Sequence, residues 1–420
     1  MLNRKYYVQI GDKRYSSDFQ TGNDSKSKWQ GVLERAYGKT DASCCCPGRG
    51  PRKLAIKHRA SSGEYHLARF AGTGAEHANE CRFYAPAPES SGMQGYSRGV
   101  VEEGEDGLLR IRLARGLQAA PPKDSGDEVI VALPTAPGVR KPAMSLLGLL
   151  HLLWQEARLN VWYPAMLGKR NLGVVTSVLY KAATRVGSGR VRLADVLLMS
   201  ADKDSKAATA NQERVTQAIG RNQRVIAVAP LAQYSADKHG GDVARLPLSK
   251  PFGIPQLYLQ KTQWDGLQKS FQQELSFWMR GGTVIAIAQV DVKQGQKWPQ
   301  ARVLDVALMP VSDQWIPFDS SYESMIEARL REEGRAFEKP LRFDAGEEEV
   351  FPDFWLLDVG KPYPMEVFGM ATPEYLIRKQ IKLVHYNREY GVDGWWSWSA
   401  DNDTKGLQIP SFPVKQQAAK

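Results

Sequence analysis

The sequence lacks any long apolar run. The longest one, MSLLGLLHLLW at residues 144–154, is only about half as long as the roughly 20 apolar residues that a membrane-crossing helix needs. The N-terminal stretch MLNRKYYVQIGDKRY carries charges where a secretory signal peptide has an apolar core. We therefore expect a cytoplasmic protein that is neither secreted nor embedded in a membrane.

Cysteine is also scarce. The chain has four cysteines, and three of them, Cys44 to Cys46, are consecutive. Such a set is not a disulfide framework, which distributes an even number of cysteines along a short secreted chain. In a reducing compartment the cluster indicates metal binding or no function at all.

Acidic residues are in deficit. The 420 residues include 56 Lys and Arg against 46 Asp and Glu, which gives a formal net charge of +10. This charge predicts an anionic partner, with nucleic acid as the first candidate, although a protein that is merely basic is the alternative. The length and the 42% hydrophobic content fit two or three globular domains.

Composition divides the chain into four segments. The first contains every cysteine and two strand-like runs at 53–59 and 64–70, joined by the hairpin signal ASSG. The second, with APPKDSGDE, has the charge, Gly and Pro content of a linker. We predict a multidomain α+β protein with these boundaries: a small zinc-binding module at 1–100, a linker at 101–140, a central helical module at 141–220 and a C-terminal α/β/α domain at 221–420.

The central segment is the helical one. Residues 145–160 and 171–184 show helical apolar spacing, and residues 190–199 have a strand-like pattern. Two helices and a strand fit a winged-helix or helix-turn-helix module that reads DNA, but two amphipathic helices also occur in many unrelated folds. The winged-helix interpretation is therefore one of two that the pattern allows.

Four residues are candidate metal ligands. Cys44 and Cys46 form a C-x-C pair, and His77 and Cys81 form an H-x3-C pair that would share one helix face if residues 76–82 were helical. Thiolate and imidazole groups suit a tetrahedral zinc ion, which would stabilise a small module. We predict one structural zinc ion bound by these two pairs.

Two alternatives concern this cluster. Cys45 could replace either of its neighbours as a ligand, and the four residues could instead be a chance group of thiols beside a core histidine. Basic residues crowd the same segment, with no acidic residue between them, and they predict contacts with DNA phosphates or a solvated charged face. These residues are Arg49, Arg52, Lys53, Lys57 and Arg59.

Two carboxylates lie in adjacent apolar runs of FPDFWLLDVGKPYPMEVFGM at residues 351–370. The turn-like GKPYP between the runs predicts a hairpin that brings Asp353 and Glu366 together. Like charges at close range repel each other unless a cation lies between them, and magnesium prefers such oxygen ligands. The alternative is an ordinary hairpin in which each carboxylate pairs with a lysine.

The fragments PDF and MEVFG resemble the PD-(D/E)xK nuclease superfamily, which has the restriction-endonuclease-like fold. In that superfamily a helix with a glutamate precedes a hairpin with Asp and Glu, and a helix and a strand follow. The same order is expected here within residues 262–400. Ser320 and Glu323 fit a capping box that would occupy Glu323, so Glu327 is the better match to the helix glutamate.

The superfamily motif also has a lysine two residues after the Glu, where this chain has Phe368. Some members supply that lysine from the following helix, which nominates Lys382 and, less strongly, Lys379. In a helix over 374–390, apolar residues Ile377, Ile381 and Val384 share a face that we expect to pack on the sheet. The remaining stripe, expected largely on the opposite side, consists of Tyr375, Lys379, Lys382 and Tyr386.

Most of the chain also resembles a bacterial family that is encoded on plasmids and integrative conjugative elements and has no settled activity. The more specific parts of this likeness are the C-x-C…H-x3-C residues and the LNVW segment at 159–162. The resemblance implies a layout and a genomic context rather than a reaction.

We expect a metal-dependent DNA endonuclease of a mobile element. Asp353 and Glu366 would bind magnesium or manganese, Glu327 would assist, and Lys382 would stabilise charge or orient water. Lys379 would contact DNA, and proteins of the mobile element are further candidate partners. The first alternative is a non-catalytic zinc-containing DNA-binding accessory protein with an inactive nuclease fold. A protein whose basic surface binds an acidic protein is the second.

Overall fold

The computed structural model divides the chain into two compact units. The first is Met1–Gly99 with Asp344–Phe351, and the second is Val100–Phe343 with Pro352–Lys420. The predicted division of the second unit into linker, helical module and C-terminal domain stays a prediction. The residues that the structure describes are 6–59, 64–69, 73, 76–78, 81–83, 101–103, 108–119, 143–241, 243–341, 352–360, 363–370 and 373–416.

The first unit contains an antiparallel sheet with strand order β2-β1-β3-β4-β5. The predicted hairpin is confirmed, because β4 and β5 pair from Leu54–Arg69 to Arg59–Glu64. The Gln30 side chain joins α2 to β5 by bonding both backbone groups of Tyr65. The bounds are β1 Val8–Ile10, β2 Lys13–Tyr15, α1 Ser17–Thr21, α2 Lys26–Ala36, β3 Ala42–Cys44, β4 Lys53–Arg59 and β5 Glu64–Arg69.

The second unit begins with a small sheet of order β10-β9-β7-β6 and two helices that start at side-chain caps. Ser145 accepts a hydrogen bond from the Gly148 amide, and Asn171 accepts one from the Val174 amide. The bounds are β6 Val101–Glu103, β7 Leu109–Ile111, α3 Leu146–Glu156, β8 Val161–Trp162, α4 Leu172–Ala183, β9 Val186–Ser188, β10 Val191–Arg192, α5 Leu193–Val196 and β11 Leu197–Met199.

The predicted single strand over 190–199 is wrong. Val191 and Arg192 form the second arm of a hairpin, after which the chain makes one helical turn and then enters a different sheet as β11. Leu197–Met199 is buried along its whole length. The apolar run over 190–199 therefore contains one strand of the small sheet and one strand of a different sheet. The winged-helix interpretation of this region stays a prediction.

The third sheet has strand order β11-β12-β14-β15-β13. Its central strand β14 is buried at most positions on both faces, which explains its nearly continuous apolar sequence. The predicted helix at 263–279 is two helices, because the backbone at Phe271 leaves the helical region. The bounds are α6 Lys206–Gly220, β12 Val225–Pro230, α7 Ala236–His239, β13 Leu257–Tyr258, α8 Lys261–Ser270, α9 Gln272–Met279, β14 Thr283–Lys293 and β15 Gln300–Val311.

The fourth sheet has strand order β19-β18-β17-β16-β8. Its neighbouring strands are antiparallel except β18 and β19, which are parallel and connected through α11. The strand β8 comes from the segment that we assigned to the central module. The bounds are α10 Ser321–Glu332, β16 Phe337–Glu338, β17 Phe354–Leu356, β18 Tyr363–Phe368, α11 Pro373–Tyr390 and β19 Trp396–Ser399.

The fourth sheet has a helix on each face. Alternate residues of its strands form an apolar core with Ile326 and Leu330 of α10. On the other face, α11 contacts the sheet through Lys379, which bonds Ser399, and through Lys382, which bonds Glu366.

The predicted orientation of α11 is wrong at the positions that can be tested. Val384 is 54% exposed, whereas Tyr386 is 1% exposed. The lysine and tyrosine stripe faces the sheet because the sheet presents polar groups there, and buried polar groups require partners. The side chains of Ile377 and Ile381 lie outside the described residues.

No helix in the described parts of the chain combines the length and the apolar character that a membrane crossing requires.

A buried ion pair closes the end of the fourth sheet. Arg335 is 3% exposed, and its guanidinium donates to both carboxylate oxygens of Asp358 at 2.7–3.2 Å. Asp358 also accepts the Ala336 amide. One carboxylate thus supports both the arginine and the backbone that leads into β16.

We expect Asp358→Ala to lower the free energy of unfolding by about 3–5 kcal/mol, because it leaves a buried guanidinium without its counter-charge. The control is Glu333→Ala, which breaks the more exposed Arg329–Glu333 pair and should cost less than about 1 kcal/mol. Urea denaturation of both variants would measure the difference. Equal losses would contradict the assigned role of Asp358.

Candidate metal centres

A buried Cys3His group in the first unit could hold a metal such as zinc. The ligand atoms of Cys44, Cys46, His77 and Cys81 all lie within 4.8 Å of one another. The Cys44–Cys81 Sγ distance is 3.6 Å, and His77 Nδ1 lies 3.5 Å from Cys46 Sγ and 3.8 Å from Cys81 Sγ. In a tetrahedral zinc site the ligand atoms are roughly 3.3–3.8 Å apart, so these three pairs are already at suitable separations.

The thiols of this group differ in acidity. The hydrogen bond with Cys81 lowers the pKa of Cys44 to about 4, against the opposing effect of burial. Burial raises the pKa of Cys46, and the hydrogen bond to Cys44 raises that of Cys81. Thiols bind a metal ion as thiolates, so a bound cation would displace protons from this group.

The described residues around His77 and Cys81 do not form the α-helix that the spacing would require. No described residue of 76–83 is in an α-helix, and the Cys81 amide donates to the Ala78 carbonyl at 2.7 Å. The prediction of a helix is therefore wrong for these residues. Gly48 permits the close approach of the cysteine loop, because a Cβ there would lie 2.0 Å from the Glu76 carbonyl oxygen.

The predicted basic patch has several different environments. The Arg52 guanidinium donates to the carbonyls of Cys44 and Gly48 and so stabilises the cysteine loop. Lys53 is 3.8 Å from Asp41, with both side chains exposed. Arg49 is exposed and Lys57 is half-buried, whereas the Arg59 side chain lies outside the described residues. A role of these residues in binding nucleic acid stays a prediction.

The two adjacent cysteines allow a direct test of the metal group. We expect purified protein to contain about one zinc ion per chain, Cys46→Ser to lose it, and Cys45→Ser to retain it, because only Cys46 belongs to the buried group. Elemental analysis by mass spectrometry would count the ion. Loss of zinc from Cys45→Ser alone would contradict the ligand assignment.

The second candidate site surrounds Asp353, at the start of β17. Phe354 pairs with Met365, and the same register carried one residue further places Asp353 opposite Glu366. The Asp353 amide donates to the Met365 carbonyl, and its Oδ2 accepts the Val367 amide at 2.7 Å. The hairpin thus brings the two predicted carboxylates to one place at the rim of the sheet.

Glu366 is 1% exposed and has two partners on α11. Lys382 Nζ lies 2.9 and 2.8 Å from its two carboxylate oxygens, and the Tyr386 hydroxyl donates to Oε1 at 2.6 Å. Asp353 is half-buried and forms no ion pair with any residue that the structure describes. One carboxylate of the predicted pair is therefore neutralised by a lysine, and the other is not.

Glu323 and Lys339 form a second buried pair, which interacts electrostatically with Asp353. Lys339 is 3% exposed, and its Nζ lies 2.7 Å from Glu323 Oε2 and 3.2 Å from Asp319 Oδ2. Burial raises the pKa of Glu323, and the Asp353 charge adds to this effect. Burial lowers the pKa of Lys339, but the charges of Asp319, Glu323 and Asp353 outweigh it and raise that pKa. Asp353 thus interacts electrostatically with the Glu323–Lys339 pair and with Glu366.

Glu327, the predicted helix glutamate, lies in a different network. Its Oε1 accepts from the Arg331 guanidinium at 2.8 Å and from the Ser312 hydroxyl at 3.0 Å. The predicted capping box is only half formed, because Ser320 accepts the Glu323 amide but Glu323 accepts the Asp319 amide rather than that of Ser320. Glu323, not Glu327, is therefore the α10 carboxylate beside Asp353.

Lys379 does not contact any of these carboxylates in the described residues. Its Nζ donates to the Ser399 hydroxyl at 2.9 Å and lies 4.8 Å from the centre of the Phe368 ring. Phe368 thus occupies the position of the missing motif lysine and packs against a lysine from α11. Of the two nominated lysines, Lys382 is the one that reaches Glu366.

Sequence reasoning missed Lys339 and set aside Glu323. In the structure Lys339 is held by Asn160 of the LNVW segment. Asn160 is fully buried and hydrogen-bonds both backbone groups of Lys339. The pairing of residues 160–162 with residues 337–339 joins distant parts of the chain. Spacing within one segment could not reveal it.

Burial and the Asp353 charge raise the pKa of Glu366 to about 8, against the effects of Lys382 and Tyr386. Burial likewise raises the pKa of Glu323 to about 7. A cluster of buried acids with such pKa values can exchange a proton near neutral pH or release it to a bound cation. It can therefore serve as an acid–base group or as oxygen ligands for a hard divalent cation.

The raised pKa makes stability depend on pH. The ordinary pKa is 4.5 and the folded value is about 8, so the folded protein retains a proton that the unfolded chain releases in this window. The contribution of Glu366 to the free energy of unfolding is full below about pH 4.5 and is lost as the pH rises through about 8.

Without added divalent cations, Glu366→Gln should therefore show a smaller fall in stability from about pH 6 to about pH 8 than the wild type. The difference should be on the order of 1 kcal/mol per pH unit, because glutamine does not titrate. Urea denaturation at several pH values would measure it. Glu332→Gln, at an exposed position of α10, is the control, and equal slopes for wild type and Glu366→Gln would contradict the raised pKa.

The chain belongs to a family whose model is described as "Protein of unknown function (DUF1173)" and matches residues 16–401. That range includes all four residues of the Cys3His group and every residue of the carboxylate cluster. No curated protein and no solved structure matches the chain.

Proposed function

We propose that this protein is a metal-dependent DNA endonuclease of the PD-(D/E)xK type, associated with bacterial mobile elements. The observation that carries the proposal is the position of Asp353 opposite the buried Glu366, with Lys382 in contact with Glu366. Buried charges of this kind add little to stability, because desolvation offsets their attraction. Their accumulation at the rim of one sheet favours a chemical role.

The order of elements supports the same proposal. Helix α10, three antiparallel strands, helix α11 and a parallel strand follow one another in the fourth sheet. This is the order that the resemblance implied for the superfamily. Asp353 precedes the second of these strands and Glu366 lies within the third, which are the positions of the motif carboxylates.

Each side chain of the site has a separate role in this proposal. Asp353 and Glu366 would hold magnesium or manganese, which supplies Lewis-acid stabilisation of phosphoryl oxygens and an activated water. Lys382 would leave Glu366 when the cation binds and place its ammonium beside the scissile phosphate. Tyr386 would continue to orient Glu366 by donating to Oε1. Glu327 is left out of this scheme because Arg331 and Ser312 already bond it.

The first unit would contribute DNA affinity. Its metal group stabilises a small sheet whose β4 strand carries Lys53 and Lys57, and Arg49 is exposed in the cysteine loop. Of these, Lys53 and Arg49 are exposed, and exposed cations bind phosphates without reading sequence. The net charge of +10 supports the same partner.

Supercoiled plasmid provides the test. With magnesium or manganese we expect nicking or linearisation by the wild type, and a loss of at least about 100-fold in Asp353→Ala and Glu366→Ala. Glu332→Gln, a carboxylate of α10 outside the cluster, should cleave like the wild type. Gel electrophoresis measures the products. Cleavage that survives both alanine substitutions would exclude this site.

One observation favours a second candidate, a zinc-containing DNA-binding accessory protein with an inactive nuclease fold. Glu366 already has Lys382 and Tyr386 as partners, so its charge does not require a metal. The same plasmid assay separates the two functions. DNA binding that weakens steeply with salt, with no cleavage under any divalent cation, would establish the accessory role instead.

A further inference from the structure

Two lysines contact the carboxylate cluster, and their side chains differ in solvent exposure. The Lys382 side chain is 24% exposed, and it approaches Glu366 from α11. The Lys339 side chain is 4% exposed and lies between Asp319 and Glu323. The two ammonium groups thus pair with different carboxylates, and only that of Lys382 borders on solvent.

The backbone of Lys339 is anchored on both sides. Its amide donates to the Asn160 carbonyl at 2.8 Å, and the Asn160 side-chain amide donates to the Lys339 carbonyl at 2.9 Å. Asn160 is fully buried, and it precedes β8, which pairs with β16. The ammonium also lies 5.5 Å from the centre of the Phe354 ring. Lys339 is therefore a fixed part of the sheet edge.

Glu323 is committed to these partners. Its Oε2 receives the Lys339 ammonium at 2.7 Å and the Asp319 amide at 3.0 Å. A metal ion that used this oxygen would have to displace the ammonium of Lys339, whose side chain is 4% exposed. The carboxylates of the cluster that form no ion pair with Lys339 among the described residues are Asp353 and Glu366.

We propose that the cluster binds one divalent cation, between Asp353 and Glu366, and that the Lys339 ammonium takes the place that a second cation would have beside Glu323. This inference rests on the proposed function. Two-metal phosphodiesterases bind their ions about 3.5–4 Å apart through shared carboxylates. Here the second set of carboxylates is neutralised by a lysine, and its positive charge repels a further cation.

The residues thus have separate roles. Asp353 and Glu366 are the metal ligands, whereas Lys339 is a positioning residue that keeps Glu323 away from the ion and adds a permanent positive charge beside Asp353. Asn160 positions Lys339 and so connects the LNVW segment with the site. Lys382 is the lysine that exchanges its place on Glu366 for the cation.

Manganese titration of the full-length, zinc-loaded protein tests the stoichiometry. Electron paramagnetic resonance counts bound Mn²⁺, and ions outside the site are subtracted with the double variant Asp353→Ala/Glu366→Ala. We expect a difference of one ion per chain. A difference of two would overturn the single-cation inference but leave the nuclease proposal intact. A difference of zero would overturn both.

Two variants test the roles of Glu323 and Lys339. Glu323→Gln keeps a partner for Lys339 and should change the manganese dissociation constant by less than about 3-fold, because Glu323 is not a ligand. A loss of more than about 10-fold would overturn the inference. Lys339→Met should create a second binding event or tighten the first by more than about 10-fold. If that variant fails to fold, the wild-type count and Glu323→Gln decide the question.

Discussion

The contact between Glu366 and the polar face of α11 determines how that helix is oriented on the fourth sheet. A carboxylate that is 1% exposed must have donors, and Lys382 and Tyr386 supply them. This requirement turns the lysine and tyrosine stripe of α11 toward the sheet and leaves Val384 exposed at the other side. The orientation of an 18-residue helix therefore follows from one buried acid.

The carboxylates around Asp353 are neutralised unequally. Glu323 and Asp319 share a buried lysine, and Glu366 has a lysine that borders on solvent, whereas Asp353 accepts only a backbone amide among the residues that the structure describes. The carboxylate of this cluster without an ion pair among the described residues is therefore Asp353, which lies opposite Glu366. A divalent cation would reduce the electrostatic cost there, and this inequality is the physical basis of the proposed site.

The first unit also contains a candidate metal site, whose ligand atoms are sulfur and nitrogen. Its sheet is small, and the buried Cys44, Cys46 and Cys81 form part of its apolar core. Their separations suit a tetrahedral ion, and Arg52 neutralises carbonyl dipoles of the same loop. Small units bury little apolar surface, so a metal ion bound there would add to the stability of the fold.

Structural features that form within one short segment, or between adjacent segments, were predictable from the sequence. The β4–β5 hairpin, the two ligand pairs, the start of α10 at Ser320 and the pairing of Asp353 with Glu366 all depend on local turn chemistry or on adjacent runs. Contacts between distant segments were not. The addition of β8 to β16, the burial of Lys339 and the turn of α11 toward Glu366 depend on which charges can be neutralised together, and only the tertiary structure decides that.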